Sequence, residues 1–264
     1  MYLRNMQFRF KKYQGTGNDF ILIDDRETFF PSTDSALIAR CCDRRFGIGA
    51  DGLILVQNTP EADFKMVYFN ADGRESTLCG NGARCTVAFA ASLGIIKTDT
   101  TFLAVDGLHT AQLIAHEMVS LQMHDVTDIQ LFDHHSFLDT GSPHHVKMVK
   151  ELKEFPVVNE GRRIRQGAPY NEEGTNVNFV EQLDHDRFAI RTYERGVEDE
   201  TLSCGTGATA VALAMHHGGL TQAEQLTVEV VGGALTLSFK KTGAGYTDIR
   251  LQGPAEFVFD GVWG

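Results

Sequence analysis

Two Cys-Gly-x-Gly-Ala segments stand 125 residues apart in this chain, at 79–83 and 204–208. At that offset Tyr68 falls on Tyr193, Glu75 on Glu200, Cys79 on Cys204, Gly80 on Gly205, Gly82 on Gly207, Ala83 on Ala208 and Gly94 on Gly219. That is seven identities in 27 positions, where typical residue frequencies give about two. A duplicated unit of strand, loop and helix follows, and 264 residues leave room for two such halves. The polar stretch at 124–135, near the midpoint, marks a crossover between them.

Short apolar or alternating runs bounded by Gly, Asp and Asn predict strands at 8–10, 20–23, 53–56, 64–68, 110–115 and 119–123. The second half repeats them at 146–149, 176–180, 188–192, 226–231, 234–239 and 248–251. Helices are expected over 32–42, 83–93 and 208–217, the last two rich in small apolar residues and closed by Gly94 and Gly218. The class is α plus β, with strands dominant.

In each half the cysteine sits where a polar loop enters a helix. Unpaired N–H groups and the positive end of the helix dipole favour a thiolate there, and can bring a thiol from about 8.5 into the range ~3.5–7.5 when other positive groups help. The neighbouring glycines clear space beside those N–H groups, so a carboxylate or phosphate can be cradled at the same helix end. Two such loops suit the inversion of a stereocentre. A proton leaves the carbon next to a carboxylate and another returns on the opposite face, with one sulfur as thiolate and the other as thiol. Such a reaction requires neither a metal nor an organic cofactor.

The other cysteines read differently. Cys41, Cys42 and Cys85 are expected to pack in the core, Cys85 falling on Ala210 at the repeat offset. Five residues separate Cys79 from Cys85 and none separates Cys41 from Cys42, unlike the gap of about two to four in structural zinc sites. No GxxxxGK[ST] is present, and the glycines at 47–52 lack a dinucleotide-binding context. Lys plus Arg number 24 against 35 Asp plus Glu, a net charge of −11 that disfavours nucleic acid and anionic membranes as partners. With no apolar core behind the charged amino terminus, no spanning apolar run and an odd number of cysteines, the expected setting is the cytoplasm.

Six ordered motifs carry a resemblance to a known family: GTGNDF at 15–20, FGIGADG at 46–52, FNADGRESTLCGNGARC at 69–85, GSPHHV at 141–146, GTNVNFV at 174–180 and YERGVEDETLSCGTGATA at 193–210. The chain resembles diaminopimelate epimerases, which interconvert LL- and meso-2,6-diaminopimelate without pyridoxal phosphate, in lysine and peptidoglycan precursor synthesis. The resemblance implies Cys79 and Cys204 as the acid/base pair, with Gly80, Asn81, Gly205 and Thr206 contacting the reacting end of the substrate. It implies that Asn18, Asn70, Asn176, Glu194 and Arg195 bind the substrate, Arg195 as a fork on the far carboxylate, and that His144 and Glu194 tune the thiols. His145 is expected behind the site or at the surface. Many members carry Gln where this chain has Gly52 and Asn where it has Ser142, so no substrate role is transferred to either position.

The fold implied is two pseudo-twofold-related domains, each a curled antiparallel sheet around a central helix, with the site in the cleft between them. A carboxy-terminal strand at 255–259 rejoins the first domain, so the halves become 1–125 plus 252–264 and 126–251. A small-molecule substrate and a homodimer complete the expectation. Two rivals stand beside it. Proline or hydroxyproline racemases share the chemistry but would not need a distal clamp such as Arg195, and a module that merely binds an anion would not need both cysteines.

Overall fold

The computed structural model describes residues 7–76 and 78–264. The chain divides into two compact units, one running to Leu121 and including Gly253–Gly264, the other Gln122–Gln252. The first begins with β1 (Phe8–Gly15), β2 (Asn18–Asp24), α1 (Ser35–Cys42), β3 (Gly52–Gln57) and β4 (Phe64–Asn70). It continues with α2 (Gly80–Ser92), β5 (Asp99–Ala104), β6 (Gly107–Ala115) and β7 (Met118–Gln122). The second holds β8 (Ile129–Leu131), β9 (Ser136–Asp139), β10 (Pro143–Met148), α3 (Val157–Gln166), β11 (Asn176–Asp184) and β12 (Arg187–Glu194). After these come β13 (Asp199–Thr201), α4 (Gly205–His217), β14 (Gln225–Val230), β15 (Gly233–Thr242) and β16 (Gly245–Pro254). The last strand, β17 (Glu256–Trp263), pairs antiparallel with β1.

The same pairing scheme appears in both units. β2 pairs parallel with β3 across α1, and β10 pairs parallel with β11 across α3. A parallel pair needs a crossover long enough to return the chain, which a helix supplies. An antiparallel hairpin follows, β3–β4 or β11–β12, and the strand after the central helix joins parallel, β4–β5 or β12–β14. Two more antiparallel pairings close each series, β5–β6–β7 and β14–β15–β16. The result is a sheet-dominated α+β fold whose sheets are mixed, with antiparallel pairs in the majority.

Composition explains the central helices. α2 and α4 are built mainly from Gly, Ala, Thr and Val, and most of their residues are buried. A thin helix can be wrapped by strands on many sides. α2 packs against β1, β2, β3, β4 and β6, and α4 against β9, β10, β11, β12, β14 and β15. Both begin three residues earlier than the sequence pattern predicts, at Gly80 and Gly205, because glycine's poor helix propensity hides a first turn that needs no intrahelical partners for its N–H groups. α1 begins at Ser35 rather than Ser32, capped by the Asp34 carboxylate, which accepts from Leu37 N at 3.0 Å. α3 has no counterpart among the expected helices. Its sequence VVNEGRRIRQ has only three apolar side chains among charged ones, Val157 buried and Val158 and Ile164 packed against the same core.

Cys41 and Cys42 lie in the core of the first unit with Phe8, Ile21, Ile38 and Leu53, and Cys85 is fully buried in α2. Burial pushes their thiols up to about 11, 12 and 12, as expected of packing residues. Among the described residues no helix is long and apolar enough to cross a membrane.

Candidate active site

Cys79 is the N-cap of α2. Its backbone is extended (φ −99°, ψ 118°), its carbonyl accepts the first helical bond from Ala83 N at 2.8 Å, and its sulfur takes no part in capping. The next residue but one is tied down from the side. Asn81 Nδ2 donates to Asn18 Oδ1 at 2.6 Å, and Asn18 Nδ2 donates to Asp51 Oδ2 at 3.0 Å. Arg44 bridges Asp51 and Asp19, and Lys12 pairs with Asp19. Burial opposes ionisation of Asp19, but the hydrogen bonds from Arg44 and Lys12 outweigh it and hold the carboxyl down to about 2. Asn18 and Asn81 thus form one rigid edge of the first loop.

Asn70 ends β4 opposite Gly52. It is exposed. Gly52 itself has no room for a side chain, since a Cβ there would lie 2.5 Å from the Tyr68 ring and 2.5 Å from the Phe69 carbonyl. Tyr68 occupies the space that a larger residue at 52 would use.

Arg84 is the residue of the first loop that the sequence reading missed. It is fully buried, and its guanidinium donates to Pro254 O at 3.3 Å, Thr16 Oγ1 at 3.3 Å and Gly80 O at 3.5 Å. All three acceptors are neutral. Burial lowers its pKa while the Cys85 and Cys79 sulfurs raise it, so the cation sits within electrostatic reach of the loop thiol. The available signal was a lone charged residue inside an otherwise small and apolar helix.

Cys204 caps α4 in the same way, extended at φ −122°, ψ 109°, with Ala208 N donating to its carbonyl at 2.9 Å. Its surroundings include hydroxyls and an imidazole. Cys204 Sγ lies 3.5 Å from Thr206 Oγ1, which lies 3.0 Å from His144 Nε2. Ser142 Oγ is 3.1 Å from the same nitrogen and accepts from Asn176 Nδ2 at 3.2 Å. Ser142, one of the two departures from the family pattern, is therefore part of the polar set around this thiol. His144 is fully buried, and desolvation, assisted by the nearby Arg195 charge, pulls it down to about 3, so it is neutral at ordinary pH. Gly207 is obligatory at its place, since a Cβ would lie 2.5 Å from Asn178 Oδ1 and 3.3 Å from the Cys204 sulfur.

Asn176 is engaged within the protein. Its amide donates to Ser142 Oγ and Pro143 O, and its carbonyl accepts from Arg195 N at 2.9 Å. It fixes the turn after β12 on which Glu194 and Arg195 sit. The Arg195 side chain is exposed, donates to Glu173 O at 3.1 Å and lines a cavity of about 410 Å³ with Phe132, Phe137 and Tyr170. His145 lies in neither loop's set; it bonds Tyr170 OH through Nδ1 at 2.9 Å and stacks on His135. Among the described residues no group of three or more His, Cys, Asp or Glu is placed to hold a metal.

Comparison with known proteins identifies a family. The chain matches the family described as diaminopimelate epimerase over residues 10–126 and 136–258. It is 57% identical to the diaminopimelate epimerase of Flavobacterium psychrophilum, covering 94% of this chain and 97% of that one. It is 43% identical to that of Chlorobaculum tepidum, covering 94% and 98%. Among solved structures, a phenazine biosynthesis protein of the PhzF family from Bacillus anthracis superposes with a TM-score of 0.80 at 15% identity, covering 98% and 100% of the two chains. A hydroxyproline epimerase from Agrobacterium vitis gives 0.66 at 13% identity, covering 98% and 91%. Those two likenesses establish the fold alone.

Proposed function

The chain belongs to the diaminopimelate epimerase family, and from that premise we propose that it inverts one α-carbon of diaminopimelate with Cys79 and Cys204 as paired base and acid, without pyridoxal phosphate. The observation that supports this reading most directly is that each cysteine caps a buried helix with its sulfur left out of the capping. In one direction a thiolate removes the α-proton: an S–H bond forms, the C–H bond breaks, and the electron pair spreads into the carboxylate. The second thiol then delivers its proton to the opposite face and is left as thiolate. The two sulfurs have exchanged roles, and the reverse reaction starts from that state. The N–H groups at Gly80, Asn81, Gly205 and Thr206 suit the charge that develops on the carboxylate oxygens.

Asn18, Asn70, Asn176, Glu194 and Arg195 complete the proposed substrate set. Arg195 suits the distal carboxylate, which a proline or hydroxyproline racemase would not need to clamp. Five free cysteines suit a reducing, cytoplasmic setting, and the product would feed lysine and peptidoglycan precursor synthesis. A homodimer belongs to the same reading, supported by Phe257, Val258, Phe259 and Val262, exposed along β17.

The direct test is incubation of LL-diaminopimelate with the purified protein in D₂O, following the α-proton signal. Loss of that signal with appearance of the meso form is expected. Retention of the α-proton alongside measurable binding would leave an anion-binding module instead.

A further inference from the structure

The hydrogen bonds behind Cys204 have a direction, and one buried amide sets it. Asn178 is fully buried on β11. Its Nδ2 lies 3.3 Å from the His145 carbonyl and 3.0 Å from His144 Nδ1, while its Oδ1 lies 2.9 Å from Thr192 Oγ1. A carbonyl oxygen can only accept, so the amide atom facing His145 O must be the nitrogen. The same nitrogen faces His144 Nδ1, which must therefore be bare. In a neutral imidazole the proton is then on Nε2, and Nε2–H donates toward Thr206 Oγ1 and Ser142 Oγ. Ser142 Oγ, which accepts from Asn176 Nδ2, also lies 3.3 Å from Thr206 Oγ1 and can turn its own O–H to it; with its oxygen accepting, Thr206 has its O–H available for the Cys204 sulfur.

We infer that Asn178 is a positioning residue for Cys204: it fixes the Nε2–H tautomer of His144, which turns the Thr206 hydroxyl into a donor to the sulfur and so favours the thiolate. His144 then acts as a fixed donor and exchanges no proton with the thiol. Thr192 holds the far side of the amide in place, and Thr140, which donates to Thr206 O at 2.9 Å, anchors the backbone of the same turn. The titratable group next to His144 is Arg195, whose positive charge further opposes an imidazolium. Gly207 is bound into the same device, since any side chain there would strike Asn178 Oδ1. This role rests on the proposed use of Cys204 as an acid/base group, but it is measured without turnover.

The test has two arms. In protein labelled with ¹⁵N-histidine, long-range ¹H–¹⁵N spectra near pH 8 should show His144 as the neutral Nε2–H tautomer. An Nδ1–H tautomer, or an imidazolium, in the unaltered protein would overturn the inference without any variant. In the second arm the rate of Cys204 alkylation by iodoacetamide is followed against pH by mass spectrometry of its peptide. Asn178→Asp presents an acceptor to Nδ1 and reverses the chain, so the alkylation midpoint should rise by about one unit or more. Because the new carboxylate also acts through space, the same change is made beside Thr206→Val. A shift that shrinks by at least half without the hydroxyl supports the relay, and an equal shift in both backgrounds refutes it. Failure of D₂O exchange with both arms as expected would sink the proposed activity and leave the relay standing.

Discussion

The two cysteine loops share a scaffold and differ in what surrounds the sulfur. In the first, a buried guanidinium, Arg84, lies near Cys79 and donates, among the described residues, to neutral acceptors. In the second, the residue at the repeat offset is Thr209, whose hydroxyl turns back onto Gly205 O at 3.0 Å, and Cys204 Sγ lies within reach of Thr206, which in turn meets a neutral histidine. The strands tell the same story. Phe20 stands opposite Gly52 in the β2–β3 ladder, where His144 stands opposite Asn176 in the β10–β11 ladder. The backbone pairing is alike in the two units while the groups near the sulfurs differ, with a buried cation near one and a chain of oriented dipoles near the other. A fixed charge acts whatever the protonation around it, whereas an oriented chain depends on the state of every link.

The largest effect should come from removing either sulfur. Cys79→Ala and Cys204→Ala are each expected to lower inversion by about 10²–10⁴-fold, with unchanged near-UV circular dichroism. Substantial inversion by either variant would break the equivalence of the two loops. Next comes pH, which should separate them. His144 and His145, both in the second unit, are held by burial at about 3, while an unfolded histidine titrates near 6.5. The unfolded chain therefore binds more protons as pH falls from about 6.5 toward 3, and stability conferred by the neutral residues is present above that window and lost within it. The loss should be about 2 kcal/mol per histidine between pH 7.5 and 5, read from urea midpoints, and His144→Gln should remove one share. A pH-independent midpoint would contradict burial of neutral imidazoles. The smallest effect is the sharpest on the first loop. Arg84→Met should slow alkylation of Cys79 at pH 7 by about tenfold while leaving that of Cys204 unchanged. Equal slowing at both sulfurs would mean a general loosening of the fold.

The dominance of strands and the place of both capping cysteines at a helix start were legible because each rests on local signals: period-two runs, and glycines beside a helix start. α3 was not, since its few apolar positions become meaningful only against β11 and β12. Arg84 and Asn178 were missed for a related reason. An arginine in a helix and an asparagine in a strand read as solvated residues until the structure shows them fully buried. Ser142 could be recognised as a departure from the family pattern, but its contact with Asn176 joins residues 34 apart. Asn176 reads from the sequence as a substrate contact, and the structure adds that its amide also meets Ser142, Pro143 and Arg195.

The packing of Tyr68 against Gly52 constrains how this lineage can change. A glutamine placed at position 52 would collide with the phenol ring, and a smaller residue at 68 introduced first would leave a void beside Phe20. Either step alone is disfavoured and only the two together are compatible, so the exchange acts as a ratchet. Sequences descending from this one should keep tyrosine and glycine as a linked pair, or lose both at once.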